Sequence, residues 1–115
     1  MTKILIVDDS PVDIKNLQSI LVDAGHLVTL ATSGEDGVAK AKASPPDIIM
    51  MDVNMPGLDG FSAARQLMQH ATTKGIPVVF VTSKDQKADR VFAQMLGAKG
   101  YVTKPYTSDQ ILSSI

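Results

Sequence analysis

Short apolar runs alternate with segments of helical periodicity along this chain. Apolar-rich runs occupy residues 4–7, 26–31, 48–51, 76–81 and 100–103. Runs of this kind are typical of strands that are buried on both faces of a parallel sheet. In the segments between them, apolar residues recur every three or four positions, as on the buried face of a helix. The pattern therefore predicts five strand–helix repeats and an α/β fold.

Helix start signals follow each predicted strand. Ser, Thr and Asp accept hydrogen bonds from the free amides of a first helical turn, and Pro is favoured at the first helical position. Such signals open the predicted helices at Ser10–Pro11, Ser33, Asp59–Gly60, Asp85 and Thr107. Apolar spacing predicts a buried face in the first helix at Ile14, Leu17 and Leu21, and in the fourth at Ala88, Val91, Phe92 and Met95. Three further methionines are predicted to fill the core: Met50, Met51 and Met68.

Polar side chains follow four of the five predicted strands. They are Asp8–Asp9 after strand 1, Asp52 after strand 3, Thr82–Ser83 after strand 4 and Lys104 after strand 5. Two doubly wound strand orders are common, and the order 2-1-3-4-5 makes these four strands contiguous neighbours. We therefore predict a flavodoxin-like, doubly wound (βα)5 fold with a five-stranded parallel sheet in the order 2-1-3-4-5.

This topology predicts one shared crevice for the polar side chains. Ligands of open parallel sheets bind outside the carboxyl ends of the strands. An acid pair, a lone aspartate, a hydroxyl and an ammonium suit a hard divalent cation and a phosphoryl group. Each residue taken singly has a structural explanation, as a cap, a turn or a solvated charge. Their coincidence at neighbouring strand ends favours a functional site.

Length, charge and composition narrow the classes of function. The 115 residues suit one domain spanning 1–115. A net charge of -1 provides no broad basic surface, so we expect no nucleic-acid binding by the domain itself. The absence of cysteine excludes disulfides and Cys-ligated metals. The first apolar run is too short for a signal peptide or a membrane span, and we expect a cytoplasmic protein with no membrane partner.

These residues resemble the receiver domain of bacterial two-component response regulators. The similarity rests on Asp8–Asp9, Asp52-Val53-Asn54-Met55-Pro56-Gly57, Thr82–Ser83 and Lys104–Pro105, and it covers essentially the whole chain. The spacing of these four motifs is far more specific than any single short motif. Within the family, the chain is similar to the chemotaxis regulator and, through residues 97–105, to the single-domain regulators of twitching motility.

The resemblance implies that Asp52 is a phosphoacceptor. It also implies an Mg²⁺ ion, for which Mn²⁺ or Ca²⁺ can substitute. Asp9, Asp52 and the backbone carbonyl of Asn54 would bind the ion directly, and Asp8 would act through a metal-bound water. A carboxylate is a poor nucleophile in water, and it becomes useful when a cation neutralises the phosphoryl oxygens.

The resemblance assigns further roles around the phosphoacceptor. Lys104 would pair with Asp52 before the reaction and with a phosphoryl oxygen after it, and the Lys104–Pro105 bond would be cis. Thr82 would bind the phosphoryl group, and Tyr101 would turn inward as Thr82 moves. Asn54 and Lys84 would modulate the lifetime of the phosphorylated state.

The resemblance also implies partners. A histidine kinase or a phosphotransfer protein would dock near the first helix and the loop after strand 5. An output protein would bind the surface formed by helix 4, strand 5 and helix 5. The protein would be a monomer and would have no enzymatic activity beyond self-phosphorylation and self-dephosphorylation.

Three other functions remain open on the residues. A degenerate receiver would act only by docking, although the complete set of site residues argues against it. A Mg²⁺-dependent aspartyl-phosphate phosphohydrolase would need a second aspartate where Asn54 stands, and an amide does not transfer protons usefully. A flavodoxin-like cofactor binder would need a phosphate loop after strand 1, where Asp8 and Asp9 would repel a phosphate.

Overall fold

The computed structural model describes residues 2–115 of the chain. Within them, strands and helices alternate five times. The strands are β1 (Lys3–Val7), β2 (Leu27–Ala31), β3 (Ile48–Met51), β4 (Val78–Thr82) and β5 (Gly100–Thr103). The helices are α1 (Pro11–Asp23), α2 (Gly34–Ala43), α3 (Gly60–Met68), α4 (Lys87–Met95) and α5 (Ser108–Ser113). None of the helices in this part of the chain has both the length and the apolar character needed to cross a bilayer.

All strand pairs are parallel, and the sheet has the order β2-β1-β3-β4-β5. The predicted fold class and strand order are therefore confirmed. The register places Val7 of β1 opposite Met51 of β3, so these two strands end at the same level. The residues that directly follow them are consequently neighbours at the carboxyl edge of the sheet.

Two apolar layers cover the two faces of the sheet. Alternate strand residues point to opposite faces, since the side-chain period of a strand is two. Ile4 and Ile6 contribute to the layer that holds Ile14 and Leu21 of α1. The neighbouring strand residues contribute to the other layer, which includes side chains of α2, α3 and α4. Burial on both faces explains why the central strands read as unbroken apolar runs.

Four of the five predicted helix starts are confirmed. The side chains of Ser10, Ser33, Asp59 and Thr107 each accept a hydrogen bond from the backbone amide three residues later. The prediction that the fourth helix begins at Asp85 is wrong, because α4 begins at Lys87. The segment before it is tied to the sheet instead: the Lys84 amide donates to Thr82 Oγ1 and the Lys84 carbonyl accepts from the Tyr101 hydroxyl.

The predicted buried face of α4 is largely wrong. Ala88 is exposed, and Val91 and Met95 are 44% and 77% exposed. The helix packs through a narrow stripe in which Ala93 is buried and the half-buried Phe92 ring meets Phe61 edge-on, with centroids 4.9 Å apart. The stripe is too narrow to cover Ala88, Val91 and Met95, which therefore remain exposed.

The prediction for the methionines is half right. Met50 and Met51 are fully buried in the central strand β3, but Met68 at the end of α3 is 48% exposed and Met95 is more exposed still. The two buried residues lie in a strand that is covered on both faces, whereas the two exposed ones end helices at the periphery.

Candidate functional site

Three carboxylates meet at the carboxyl edge of the sheet. Asp8 and Asp9 follow β1, and Asp52 follows β3. One carboxylate oxygen from each of the three lies within 4.8 Å of the others. Asp8 and Asp52 are buried and Asp9 is exposed, so the cluster has one face open to solvent. The structure thus brings together the acids that the sequence predicted would meet.

Local backbone amides orient the two buried carboxylates. Asp8 Oδ1 accepts from the Ser10 amide at 2.9 Å, and Asp52 Oδ1 accepts from the Asn54 amide at 3.2 Å. Both are contacts to the second residue along the chain, which short Asp side chains form readily in turns. In each carboxylate, Oδ2 is left to face the crevice.

Lys104 fills the space between these Oδ2 atoms. Its Nζ lies 3.0 Å from Asp8 Oδ2 and 3.1 Å from Asp52 Oδ2. It lies closest to Asp13 Oδ2, at 2.8 Å, and Asp13 belongs to α1. The Lys104–Pro105 peptide bond is cis, as the resemblance implied. Three aspartates, one from α1 and two from the loops after β1 and β3, therefore share one ammonium.

The contact between Asp13 and Lys104 was not predicted from the sequence. The position of Asp13 in the first turn of α1 is already explained by the helix dipole, which favours acids there. The residues that meet are 91 positions apart. No local pattern in the sequence signals this contact.

Burial and charge shift the pKa values of the cluster in opposing ways. Burial raises the pKa of Asp8, although the Ser10 amide and Lys104 favour its charged form. Burial alone would lower the pKa of Lys104, but its bonds to Asp13, Asp8 and Asp52 outweigh that effect and raise it above the ordinary value of 10.5. The ammonium is therefore charged throughout the physiological range.

The donor set of the crevice fits a hard divalent cation. All three converging groups are carboxylates, and oxygen is the ligand type that Mg²⁺, Mn²⁺ and Ca²⁺ prefer. The open face beside Asp9 leaves room for the waters that Mg²⁺ usually keeps. The present ammonium contacts show that a positive charge is already accommodated beside Asp8 and Asp52.

Thr82 and Tyr101 are linked through the backbone of Lys84. Thr82 is completely buried, and its Oγ1 accepts from the Lys84 amide at 3.2 Å. The Tyr101 hydroxyl donates to the Lys84 carbonyl at 2.7 Å, so it is not simply solvated. The Lys84 side chain itself lies 3.3 Å from Asp89 of α4. A displacement of Thr82 would therefore disturb contacts of Lys84 with both β5 and α4.

A glycine allows α3 to begin directly beneath the site. A Cβ atom on Gly60 would overlap the carbonyl oxygen of Asp52. The Gly60 amide also donates to the Val53 carbonyl at 2.8 Å, which closes the loop after β3. Met55 in the same loop is buried in the core layer next to α3 and does not line an open part of the crevice.

Comparison with known proteins identifies the family. A profile described as "Response regulator receiver domain" matches residues 4–115. This chain belongs to that family. Receiver domains are signalling domains rather than classical enzymes, and as a class they bind Mg²⁺ at an acidic pocket and interact with histidine kinases and downstream targets.

Relatives of this receiver include small regulators of similar length. Protein PilH of Pseudomonas aeruginosa is 48% identical over 115 residues, which cover 100% of the chain and 95% of that protein. Vibrio cholerae chemotaxis protein CheY4 is 31% identical, with a TM-score of 0.92 over 99% of this chain and 95% of its own. The resemblance to single-domain regulators of the chemotaxis and twitching-motility type is thereby confirmed.

One structural neighbour of this receiver contains a metal. It is the receiver domain of a Pseudomonas aeruginosa sensor histidine kinase, solved with a magnesium ion coordinated in the active-site cleft. It is 29% identical to this chain, has a TM-score of 0.89, and is matched over 97% of this chain and 92% of its own.

Proposed function

We propose that residues 1–115 act as a phosphoacceptor switch in which Asp52 receives a phosphoryl group from a histidine kinase, a phosphotransfer protein or a small phosphodonor. The single observation that carries this proposal is the buried Asp52 carboxylate, fixed by the Asn54 amide and contacted by Lys104 at 3.1 Å beside Asp8 and Asp9. Such a constellation places a nucleophile, a positive charge and a cation-binding acid pair at one point.

The residues of the crevice have separate tasks in the transfer. An Asp52 oxygen forms the new bond to phosphorus while the donor's bond to phosphorus breaks and the donor departs with that electron pair. Asp9, Asp52 and the Asn54 carbonyl would hold Mg²⁺, and Asp8 would orient its water. When bound, the ion neutralises charge on the phosphoryl oxygens. Lys104 then exchanges its contact with Asp52 for one with a phosphoryl oxygen.

The switch proceeds from Thr82 to the surface of α4, β5 and α5. The Thr82 hydroxyl would bind the phosphoryl group, and its movement would disturb the backbone of Lys84, whose carbonyl also holds the Tyr101 hydroxyl. Arg90 of α4 lies 5.0 Å from the centroid of the Tyr101 ring and couples the helix to this change. The output partner would bind this surface, which contains a cleft of about 630 Å³ lined in part by Arg90, Tyr101 and Gln110.

Intact-mass measurement after incubation with acetyl phosphate and Mg²⁺ tests the proposal. We expect one added phosphoryl group that is absent with Asp52→Ala and absent when a chelator removes the metal. Asp23→Ala is the matched control, because Asp23 is an exposed aspartate at the far end of α1. Loss of the adduct in the control as well would contradict the assignment to Asp52. A folded wild-type protein without any adduct would favour a receiver that acts only by docking.

The lifetime of the phosphorylated state should depend on Lys84. This residue is two positions after Thr82, and its ammonium forms an ion pair with Asp89 of α4. We propose that Lys84 and Asn54 flank the path of water to the phosphoryl group. Lys84→Glu should therefore change the dephosphorylation rate, with Asp109→Lys as a control for altered charge on a distant exposed residue. An unchanged rate in Lys84→Glu would exclude the role.

The remaining features of the proposal follow from the family. The protein would work in the cytoplasm as a monomer, without binding nucleic acid or a membrane, and without catalysis beyond its own phosphorylation and dephosphorylation. The kinase side would use α1 and the loop after β5, which lie next to Lys104. A phosphohydrolase reading is disfavoured by Asn54, since its amide cannot serve as the general acid or base.

A further inference from the structure

The shortest contact of Lys104 is to a residue outside the acid cluster. Asp13 Oδ2 lies 2.8 Å from Lys104 Nζ, closer than the oxygen of Asp8 or Asp52. The Asp13 side chain is 40% exposed, whereas that of Lys104 is 16% exposed. The ammonium therefore lies between a buried pair of carboxylates and one carboxylate at the crevice rim.

The helix that carries Asp13 is held firmly in place. Its buried face, which includes Leu17 and Leu21, packs on the sheet, and the Ser10 side chain caps its first turn by accepting from the Asp13 amide. A second contact lies one turn further on, where the Asn16 side chain donates to the Tyr106 hydroxyl at 3.4 Å. The same face of α1 thus reaches the residues on both sides of Pro105 and positions the loop that carries the lysine.

The position of the ammonium matters because a metal ion bound by the acid cluster would lie beside it. Lys104 contacts Oδ2 of both Asp8 and Asp52, while Oδ1 of each accepts from a backbone amide. A divalent cation bound by these carboxylates would lie beside the ammonium, and the repulsion between the two positive charges would weaken the lysine contacts. An ammonium has three N–H donors, and the three aspartate contacts can take one each.

We propose that Asp13 is a positioning residue that holds the Lys104 ammonium at the rim of the crevice and so limits its competition with Mg²⁺ for Asp8 and Asp52. This inference rests on the proposed function, because it assumes that the crevice binds Mg²⁺. Without the Asp13 charge, the attraction of the ammonium would concentrate on the two buried carboxylates. When the ion binds, Asp13 retains the displaced ammonium close to the place where a phosphoryl oxygen will arrive.

A double-mutant cycle on Mg²⁺ affinity separates this role from a general effect of charge. The Kd for Mg²⁺ would be measured by calorimetry for the wild type, Asp13→Asn, Lys104→Met and the double variant. Asp13→Asn should weaken binding, and this weakening should be about two- to five-fold greater with Lys104 present than with Met in its place. Equal weakening in both backgrounds would overturn the proposal, since Asp13 would then act on the metal directly.

Two single substitutions serve as controls for the cycle. Asp13→Glu retains the charge and should keep an affinity near that of the wild type. Asp23→Asn removes the same charge from the other end of α1, where Asp23 forms no ion pair with the residues the structure describes, and should leave the Kd unchanged. A loss of affinity in Asp23→Asn equal to that in Asp13→Asn would also overturn the proposal.

A measurement on the metal-free protein does not depend on Mg²⁺ binding or on the stability of the double variant. The Lys104 ammonium, observed by its ¹H–¹⁵N correlation at low temperature, should exchange its hydrogens with water faster in Asp13→Asn than in the wild type. Unchanged exchange would overturn the positioning role while leaving the phosphoacceptor function intact. A wild-type protein that binds no Mg²⁺ would overturn both, whereas normal binding with an additive cycle would overturn the inference alone.

Discussion

Replacement of Lys104 by Met tests whether the acid cluster depends on this ammonium for its stability. Met keeps an unbranched side chain of similar length and removes the charge. The Lys104 side chain is 16% exposed, and those of Asp8 and Asp52 are 6% and 10% exposed. The substitution therefore leaves two largely buried carboxylates without their cationic partner, and they repel each other across the crevice.

The size of the expected loss in stability follows from the burial of these side chains. Removing one partner of a fully buried ion pair costs about 3–5 kcal/mol, and because this crevice has one open face we expect a loss of about 2–3 kcal/mol in the free energy of unfolding. Asp13 adds little to the loss, because its 40% exposed side chain is returned to water. For a domain of this length the loss corresponds to a decrease of about 8–15 °C in Tm.

Urea denaturation followed by circular dichroism at neutral pH, with and without Mg²⁺, measures the effect. Saturating Mg²⁺ should recover most of the lost stability, because the ion replaces the missing positive charge. Lys42→Met is the matched control: Lys42 is an exposed residue of α2, and we expect a change within about 0.5 kcal/mol. If Lys104→Met were no more destabilising than this control, or if its deficit were indifferent to Mg²⁺, the electrostatic account of the cluster would be refuted.

Three further predictions follow from the same region. Asp9→Ala should raise the Tm of the metal-free protein, because it removes one repelling carboxylate, and should abolish the rise in Tm that Mg²⁺ causes; a melting curve indifferent to both changes would count against the cluster. Gly60→Ala should lower the free energy of unfolding by about 2 kcal/mol or more through overlap with the Asp52 carbonyl, whereas Gly75→Ala, in open space, should change it by less than about 1 kcal/mol in urea denaturation. The pKa of Lys104 is raised above 10.5 in the folded protein. The ammonium therefore contributes its full stabilisation below that pH. This stabilisation is lost as the pH rises further, because the native state retains a proton that the unfolded chain has released. Stability of the wild type should therefore fall between about pH 10 and pH 12. Lys104→Met should show a shallower fall, to which the two half-buried tyrosines with raised pKa still contribute; parallel slopes in the two proteins would contradict this assignment.

Local patterns in the sequence were sufficient to predict the architecture. Apolar runs identified the central strands, because a central parallel strand is buried on both faces and its residues are therefore mostly apolar. The caps at Ser10, Ser33 and Asp59 were also predictable, since a capping hydrogen bond joins residues only three positions apart. The strand order followed from placing the polar strand ends side by side, and the sheet has that order.

Predictions from the sequence were wrong where the buried face or the start of a helix depends on residues that are distant in the sequence. The periodicity of α4 is compatible with several inner faces, and only its packing through Phe92 and Ala93 decides that Met95 is exposed. Asp85 is a residue type that often caps helices. However, Thr82 and Tyr101 hold the amide and the carbonyl of Lys84 in a non-helical segment, so the helix starts later.

The sequence by itself determined which side chains stand at the ends of the strands, and therefore that Asp8, Asp9, Asp52 and Lys104 would share one crevice. The tertiary structure alone decided that Asp13 also pairs with Lys104 in that crevice. The contact between Asp13 and Lys104 joins the first turn of α1 to the loop after β5, 91 residues later. Hydrogen-bonding preferences act over a few residues, whereas this contact depends on how α1 packs against the sheet and at what level its first turn meets the edge. For that reason, the residue proposed to position the lysine could be found only in the folded molecule.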